Sequence, residues 1–193
     1  MNEPMVVTVD DSGEVVGTAP RLAAHRDAIR HLAISVVVIG NDGRVLLQQR
    51  AAGKALFAGR WSNTVCTHPL PGEPVANAAL RRLEEELSVR CHLTLAGMFS
   101  YRALDPDSGL TEHELDHVFV GRAYVDPVPD PHEVAAVRWI TPADLAAEMS
   151  TAPDSFTPWL LPVLVAAGLE DGSFDAGHLP SGTSAYSQIE DLP

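Results

Sequence analysis

Residues 61–68 read WSNTVCTH, a short β-type run that closes on a cysteine and a histidine two positions apart. Side chains at i and i+2 share one face of a strand, so Cys66 and His68 are expected to point into one pocket. A thiol there can serve as a proton donor or nucleophile, and an imidazole as a base or metal ligand. A buried, inert thiol is the default for an intracellular cysteine, and it is the reading for Cys91, which has no obvious partner. For Cys66 the proximity of Asn63 and His68 tilts the reading toward chemistry. The partners such a pocket needs lie elsewhere in the chain, at His25, His31, Glu112 and Glu114.

Working outward, residues 51–60 form a loop with Gly53 and Gly59, and 44–50 read as a strand. That strand is reached through Asn41-Asp42-Gly43, a hairpin turn signal, from the β-branched run HLAISVVVI at 31–39. Further upstream, 5–10 and 14–18 flank the turn Asp11-Ser12-Gly13 as an N-terminal hairpin, and Pro20 opens a short helix through His25. Downstream, Pro69, Pro71 and Gly72 break the chain before a helix over 75–87, where Val75, Ala79, Leu83 and Leu87 recur every four residues with Leu80 beside them. Strands are expected at 62–66, 91–103, 113–124 and 134–140, and helices at 142–149 and 156–167. The fold class is therefore α+β: a mixed β-sheet sandwiched by helices, with an N-terminal hairpin. Residues 1–170 form the catalytic domain, and 171–193, rich in Gly, Ser, Pro and Asp, form a mobile tail.

Composition narrows the function. The chain has 193 residues, 46% hydrophobic and 20% charged, which is ordinary for a soluble globular protein. Two cysteines are too few for a disulfide scaffold, no secretory signal opens the chain, and no apolar run reaches the ~18 residues of a membrane span. A cytoplasmic protein with reduced thiols and no membrane partner is expected. A net charge of −13 with a single lysine, Lys54, argues against nucleic acid as a partner. It also demands that any anionic substrate be met by a local gathering of cations.

Two constellations answer that demand. His25, His31 and His68 with Glu112 and Glu114, two carboxylates on one strand face, suit a five- or six-coordinate divalent ion. Each histidine alone is more often a surface or core residue than a ligand. Arg21, Arg50, Lys54 and Arg82 come from four segments, and each alone is more often a solvated charge. Arg82 shares a helical face with Glu86 at i,i+4, a pair worth only ~0.3–0.5 kcal/mol if exposed.

Together these residues resemble the type 1 isopentenyl-diphosphate isomerases, a branch of the Nudix fold. The resemblance spans roughly 5–165 and rests on AAHRDAIRHLAIS (23–35), LLQQRAAGK (46–54), GRWSNTVCTHP (59–69), RRLEEEL (81–87), YRALD (101–105), EHE (112–114) and FTPWL (156–160). It implies exchange of isopentenyl and dimethylallyl diphosphate in isoprenoid biosynthesis, by proton addition and removal through a carbocation-like intermediate. By resemblance, Cys66, Glu114, Tyr101 and Trp159 are catalytic, with Trp159 closing the pocket. Arg21, Arg50, Lys54 and Arg82 bind the diphosphate. His25, His31, His68, Glu112 and Glu114 hold one Mn²⁺, Mg²⁺ or Zn²⁺, and Glu86 holds Mg²⁺ with the diphosphate. The Glu114–Tyr101 side is expected to deliver one proton and Cys66 to take the other, a direction that reversibility leaves open. A monomer or weak dimer is expected.

The Nudix box offers a second comparison. Aligned to Gly-x5-Glu-x7-Arg-Glu-apolar-x-Glu-Glu-x-Gly, this chain reads Thr67, Glu73, Arg81, Arg82, Leu83, Glu85, Glu86 and Ser88. Arg82 stands where a hydrolase carries a metal-binding carboxylate, which speaks against pyrophosphate hydrolysis. A Nudix hydrolase and a non-catalytic ligand-binding module of the same fold are the rival readings.

Overall fold

A computed structural model describes residues 3–123, 125–169, 186–188 and 192. Strands β1 (Met5–Val9) and β2 (Val15–Pro20) pair antiparallel as the N-terminal hairpin, followed by α1 (Arg21–Arg26). Strand β3 (His31–Ile39) is the spine of the sheet. Eight of its nine residues are buried. Its two-residue period sends Val37 and Ile39 into one hydrophobic core and Ile34, Val36 and Val38 into another. A strand buried on both faces reads as a continuous apolar run, which is what HLAISVVVI is.

Strand β4 (Val45–Arg50), β5 (Trp61–Ser62) and β6 (Val65–Thr67) precede α2 (Val75–Leu87). Strands β7 (Leu93–Leu104), β8 (Thr111–Arg122) and β9 (Val134–Ile140) lead to α3 (Pro142–Thr151) and α4 (Leu160–Ala166). The main sheet runs β7-β8-β3-β1-β2, with β3 and β8 parallel from His31↔Glu114 to Ile39↔Arg122. Helix α2 covers one face through Ala79, Leu83 and Leu87, and α4 covers the other through Leu160, Val163 and Leu164. Gly97, at a β7 bulge, lets α4 approach: a Cβ there would lie 3.1 Å from the Ala166 carbonyl.

The Asn41-Asp42-Gly43 turn forms, with Gly43 at φ 79°, but it does not start a continuous hairpin. β3 and β4 pair only at Ile39↔Val45 and then part, because β3 gives its edges to β8 and β6 while β4 pairs with β9 and β5. Residues 61–68 fill the wedge. Thr64 Oγ1 accepts from the Val38 N–H at 2.8 Å and donates to the Leu46 carbonyl at 2.7 Å. Asn63 Nδ2 donates to the carbonyls of Val36 at 3.2 Å and Val65 at 2.6 Å. The strand expected over 62–66 is thus two short pieces, since side chains take over hydrogen bonding where the ladder splits. Asn63 is a structural tie, not a member of the chemistry.

Two details of α2 differ from expectation. Leu80 is 45% exposed and lies off the apolar face. Ser88, which stands at the last glycine of the Nudix box, ends the helix at φ 55°, the left-handed conformation that glycine adopts most readily. Ser88→Gly is therefore expected to stabilise the fold by about 0.5–1 kcal/mol, read as a higher denaturant midpoint at unchanged slope.

Most of the tail expected at 171–193 lies outside the described residues. Within it, Tyr186–Gln188 (β10) runs parallel to β7, and Leu192 N donates to the Arg102 carbonyl at 2.7 Å. No helix among the described residues is long and apolar enough to cross a membrane.

Candidate active site

The divergence of β3 and β4 leaves β6 alongside β3, with Cys66 opposite Ser35 and Thr67 opposite Ile34. On the other side of β3, His31 pairs with Glu114. One strand thereby brings the CTH end of 61–68 beside the EHE segment of β8, although 46 residues separate His68 from Glu114. Helix α1 adds His25 from above the same strand end.

Ligand atoms of His25, His31, His68 and Glu112 all lie within 4.8 Å of one another. His31 Nε2 and His68 Nε2 are 3.1 Å apart. Glu114 Oε1 joins them at 2.9 Å from His68 Nε2 and 3.5 Å from His31 Nε2. The Nδ1 of His31 lies 2.7 Å from the Ile29 carbonyl, an acceptor only, so Nδ1 carries a proton and Nε2 faces His68 and Glu114. Burial lowers the pKa of His68 and keeps that ring neutral, the form in which imidazole ligates. Glu112 Oε2, 3.1 Å from His25 Nδ1, is buried without a hydrogen-bond donor. Converging imidazole nitrogens, a buried carboxylate and an unsatisfied carboxylate oxygen form a donor set that fits a divalent cation.

Tyr101, opposite Glu114 on β7, donates its hydroxyl to Glu114 Oε2 at 2.6 Å. Burial alone would raise the Glu114 pKa, but the contacts from His31 and His68 hold it well below the usual carboxylate range. The same carboxylate, after burial, pushes the Tyr101 hydroxyl well above its usual value. Burial first, and then the charges of Glu114 and Asp116, push the Cys66 thiol well up as well. The site therefore carries its protons on Cys66 and Tyr101, with Glu114 as the anion between the histidines and the phenol.

A cavity of about 690 Å³ opens on this cluster. Its wall includes Cys66, His25, His68, Glu112 and Glu114, and also Arg21, Arg50, Lys54 and Arg82. Four expected site residues stand behind the wall: His31, Tyr101, Trp159 and Glu86, all nearly fully buried. Trp159 donates Nε1 to Ser62 Oγ at 3.1 Å and packs on Phe57 and Tyr101, which ties FTPW to WSNT. Here it backs the pocket and does not close its mouth. The Arg50 guanidinium lies 5.4 Å over its ring, and its Nε and Nη2 donate to the Leu56 carbonyl. The next residue, Phe57, sits at φ 48° with its N–H on Asp105 Oδ2 at 3.1 Å, so the last residue of YRALD fixes the 51–60 loop.

Glu86 is buried and Arg82 half-buried, so their pair is not an exposed helix contact: Arg82 Nη2 lies 2.7 Å from Glu86 Oε1. Two carboxylates were not among the expected residues. Asp116 follows Glu114 by two and is buried, accepting from Ser35 Oγ at 2.7 Å. Strand alternation already placed it on the Glu112 face. Glu133 comes from the stretch 125–133, whose prolines leave no periodic pattern. Lys54 Nζ is 2.5 Å from its Oε2 and Arg82 Nη2 2.9 Å from its Oε1. Burial would raise the Glu133 pKa, but these two cations hold it at about 2.

Known proteins share this arrangement. The NUDIX domain family matches residues 29–160. An isopentenyl-diphosphate Delta-isomerase of Nocardia farcinica is 50% identical over 160 residues, 82% of this chain and 91% of that protein. The isopentenyl-diphosphate Delta-isomerase of Halorhodospira halophila is 46% identical over 80% of this chain and 89% of its own. Among solved structures, a Deinococcus radiodurans protein superposes with a TM-score of 0.63 at 21% identity, over 76% of this chain and 89% of that one, which shows the fold. With this sheet, this donor set and this identity along most of its length, the chain belongs to the Nudix family, in its isopentenyl-diphosphate Delta-isomerase branch.

Proposed function

We propose that this protein interconverts isopentenyl diphosphate and dimethylallyl diphosphate. The observation that carries the reading is one cavity whose wall holds Cys66 and Glu114 together with Arg21, Lys54 and Arg82. A small allylic diphosphate is a molecule with a part for each of those two sets.

An isolated alkene is a weak base, so the proton must be delivered by a well-aimed acid into a site sheltered from water. Cys66 and the Glu114–Tyr101 pair flank the reacting carbons. One face adds a proton at the terminal alkene carbon, and the other removes one from the carbon next to the diphosphate-bearing one. Trp159, from behind the pocket, stabilises the tertiary cation through its ring, with Arg50 competing for the same face. His25, His31, His68, Glu112 and Glu114 would hold a divalent ion that fixes and polarises the Glu114 carboxylate when bound. Glu86, expected to hold Mg²⁺ with the diphosphate, lies behind the cavity wall paired with Arg82, so its side chain does not fit that role in this geometry. The mixed set of three imidazoles and two carboxylates suits Mn²⁺, Mg²⁺ or Zn²⁺, the imidazoles favouring zinc and the carboxylates manganese or magnesium.

Proton NMR of isopentenyl diphosphate in D₂O with enzyme and Mg²⁺ tests the function: deuterium enters the allylic product and its methyl groups, and no phosphate is released. Absence of exchange, or phosphate release from a diphosphate panel, overturns the reading in favour of a binding module or a hydrolase. The metal assignment has its own readout. A divalent ion at 100-fold its Kd adds about 2.7 kcal/mol of stability, an increase in Tm of roughly 5–10 °C. That increase is expected for the wild type and lost in His68→Ala.

A further inference from the structure

The cations of the cavity are not equivalent in how they are neutralised. Arg81 lies against Glu73 and Glu85, its helix and helix-entry neighbours. Glu86 is fixed beneath Arg82 and is buried. Glu133 is different in three respects. It comes from another part of the chain, it lines the cavity, and its side chain keeps 27% of its surface exposed, which leaves it room to swing outward. Each of its two oxygens takes a different cation, Lys54 at 2.5 Å and Arg82 at 2.9 Å. A bridging phosphate group would make that same pair of contacts.

The backbone around Glu133 is held independently of the carboxylate. The Ala51 N–H donates to the Glu133 carbonyl at 3.0 Å, and the Glu133 N–H donates to the Asp130 carbonyl at 3.0 Å. The side chain is therefore not needed to shape the loop. The charges of Lys54, Arg82, Glu86 and Glu133 sum to zero, so the two cations are already neutralised within their own cluster before ligand arrives, while Arg21 and Arg50 add positive charge to the same cavity wall. Removing the Glu133 charge is expected to relieve repulsion with an incoming polyanion by more than losing its hold on Lys54 and Arg82 costs.

We propose that Glu133 is the resident anion of the diphosphate site: its carboxylate bridges Lys54 and Arg82 in the empty enzyme and must be displaced from both when diphosphate binds. The inference rests on the reading of Lys54 and Arg82 as diphosphate ligands. It makes Glu133 a positioning residue that keeps two cations paired and in place, and that weakens the hold on substrate and product alike.

Calorimetric titration with inorganic pyrophosphate in EDTA tests it without turnover. Glu133→Gln keeps the shape and removes the charge, and it is expected to bind pyrophosphate about tenfold more tightly than the wild type, a change of about 1.4 kcal/mol. Glu133→Ala is expected to tighten binding too, and Glu133→Asp to stay near the wild type. In steady state the Gln variant is expected to show a lower KM with a proportionally lower kcat, as product leaves more slowly. Unchanged or weaker binding in both charge-removing variants, or equal tightening in Glu133→Asp, overturns the proposal and leaves Glu133 a structural anchor. Lys54→Met separates the two readings: it is expected to weaken pyrophosphate, and if it does not, the anion-site assignment itself fails.

Discussion

Replacing Cys66 with alanine is expected to lower kcat/KM for isomerisation by about 10³–10⁴-fold while the protein remains folded. A positioned acid or base contributes that much when the reacting carbon is too weak a base to take its proton from water. The thiol is partly buried on a three-residue strand, so its loss leaves a small gap that costs about 1 kcal/mol, and circular dichroism and Tm should change little. The pH profile carries a second signature. Burial, aided by Glu114 and Asp116, holds Cys66 protonated beyond its ordinary value of 9.0. The folded protein then keeps a proton that the unfolded chain releases, so stability falls as pH rises above about 9, and Cys66→Ala flattens that limb. An active alanine variant would remove the thiol from the mechanism.

Glu114→Gln is expected to be the more damaging change, about 10⁴-fold or more in kcat, because one side chain has two tasks. It accepts from Tyr101, in the proposed mechanism as half of a proton-carrying pair, and it sits against His68 and His31, where it would join the metal ligands. The first task is worth ~10²–10⁴ and the second ~10–100. Tyr101→Phe separates them: it removes only the phenolic donor, and it should cost activity while leaving the metal-induced rise in Tm intact. Glu114→Gln should lose both. The acid limb of stability has the opposite sign to the cysteine's. With its pKa held below the ordinary 4.5 by the two histidines, Glu114 contributes stability above that value that is lost as pH falls through the lower, folded-state pKa. A Glu114→Gln protein with the same acid unfolding and full turnover would overturn the assignment.

The parts of this protein that were legible in the chain were those with a local period or a local turn. HLAISVVVI was legible as a β-branched strand, which the structure buries on both faces, and the four-residue recurrence from Val75 to Leu87 matches α2 end for end. The N-terminal hairpin follows from its Asp-Ser-Gly turn. The Asn41-Asp42-Gly43 signal was read correctly as a turn and extended too far as a hairpin, because turn chemistry governs two or three residues and says nothing about which edge a long strand pairs with next. Asn63 looked chemical because it neighbours Cys66. Its amide instead closes the gap where two strands separate, a gap that no sequence pattern displays.

Local order along the chain determined which side chains share a face: Cys66 with His68, Glu112 with Glu114, Arg82 with Glu86. Side-chain periodicity is set by backbone geometry alone, so it can be read in one dimension. The tertiary structure decided which faces meet. Strand β3 joins 66–68 to 112–114 by lying between them, while the pairing of β7 with β8 and the packing of Trp159 on Phe57 and Ser62 put Tyr101 and Trp159 behind the pocket wall instead of on it. Only the packing of a patternless Pro-rich segment against β4 brings Glu133 between Lys54 and Arg82. Contacts between distant segments depend on the balance of burial and pairing over the whole sheet, and that balance has no local trace.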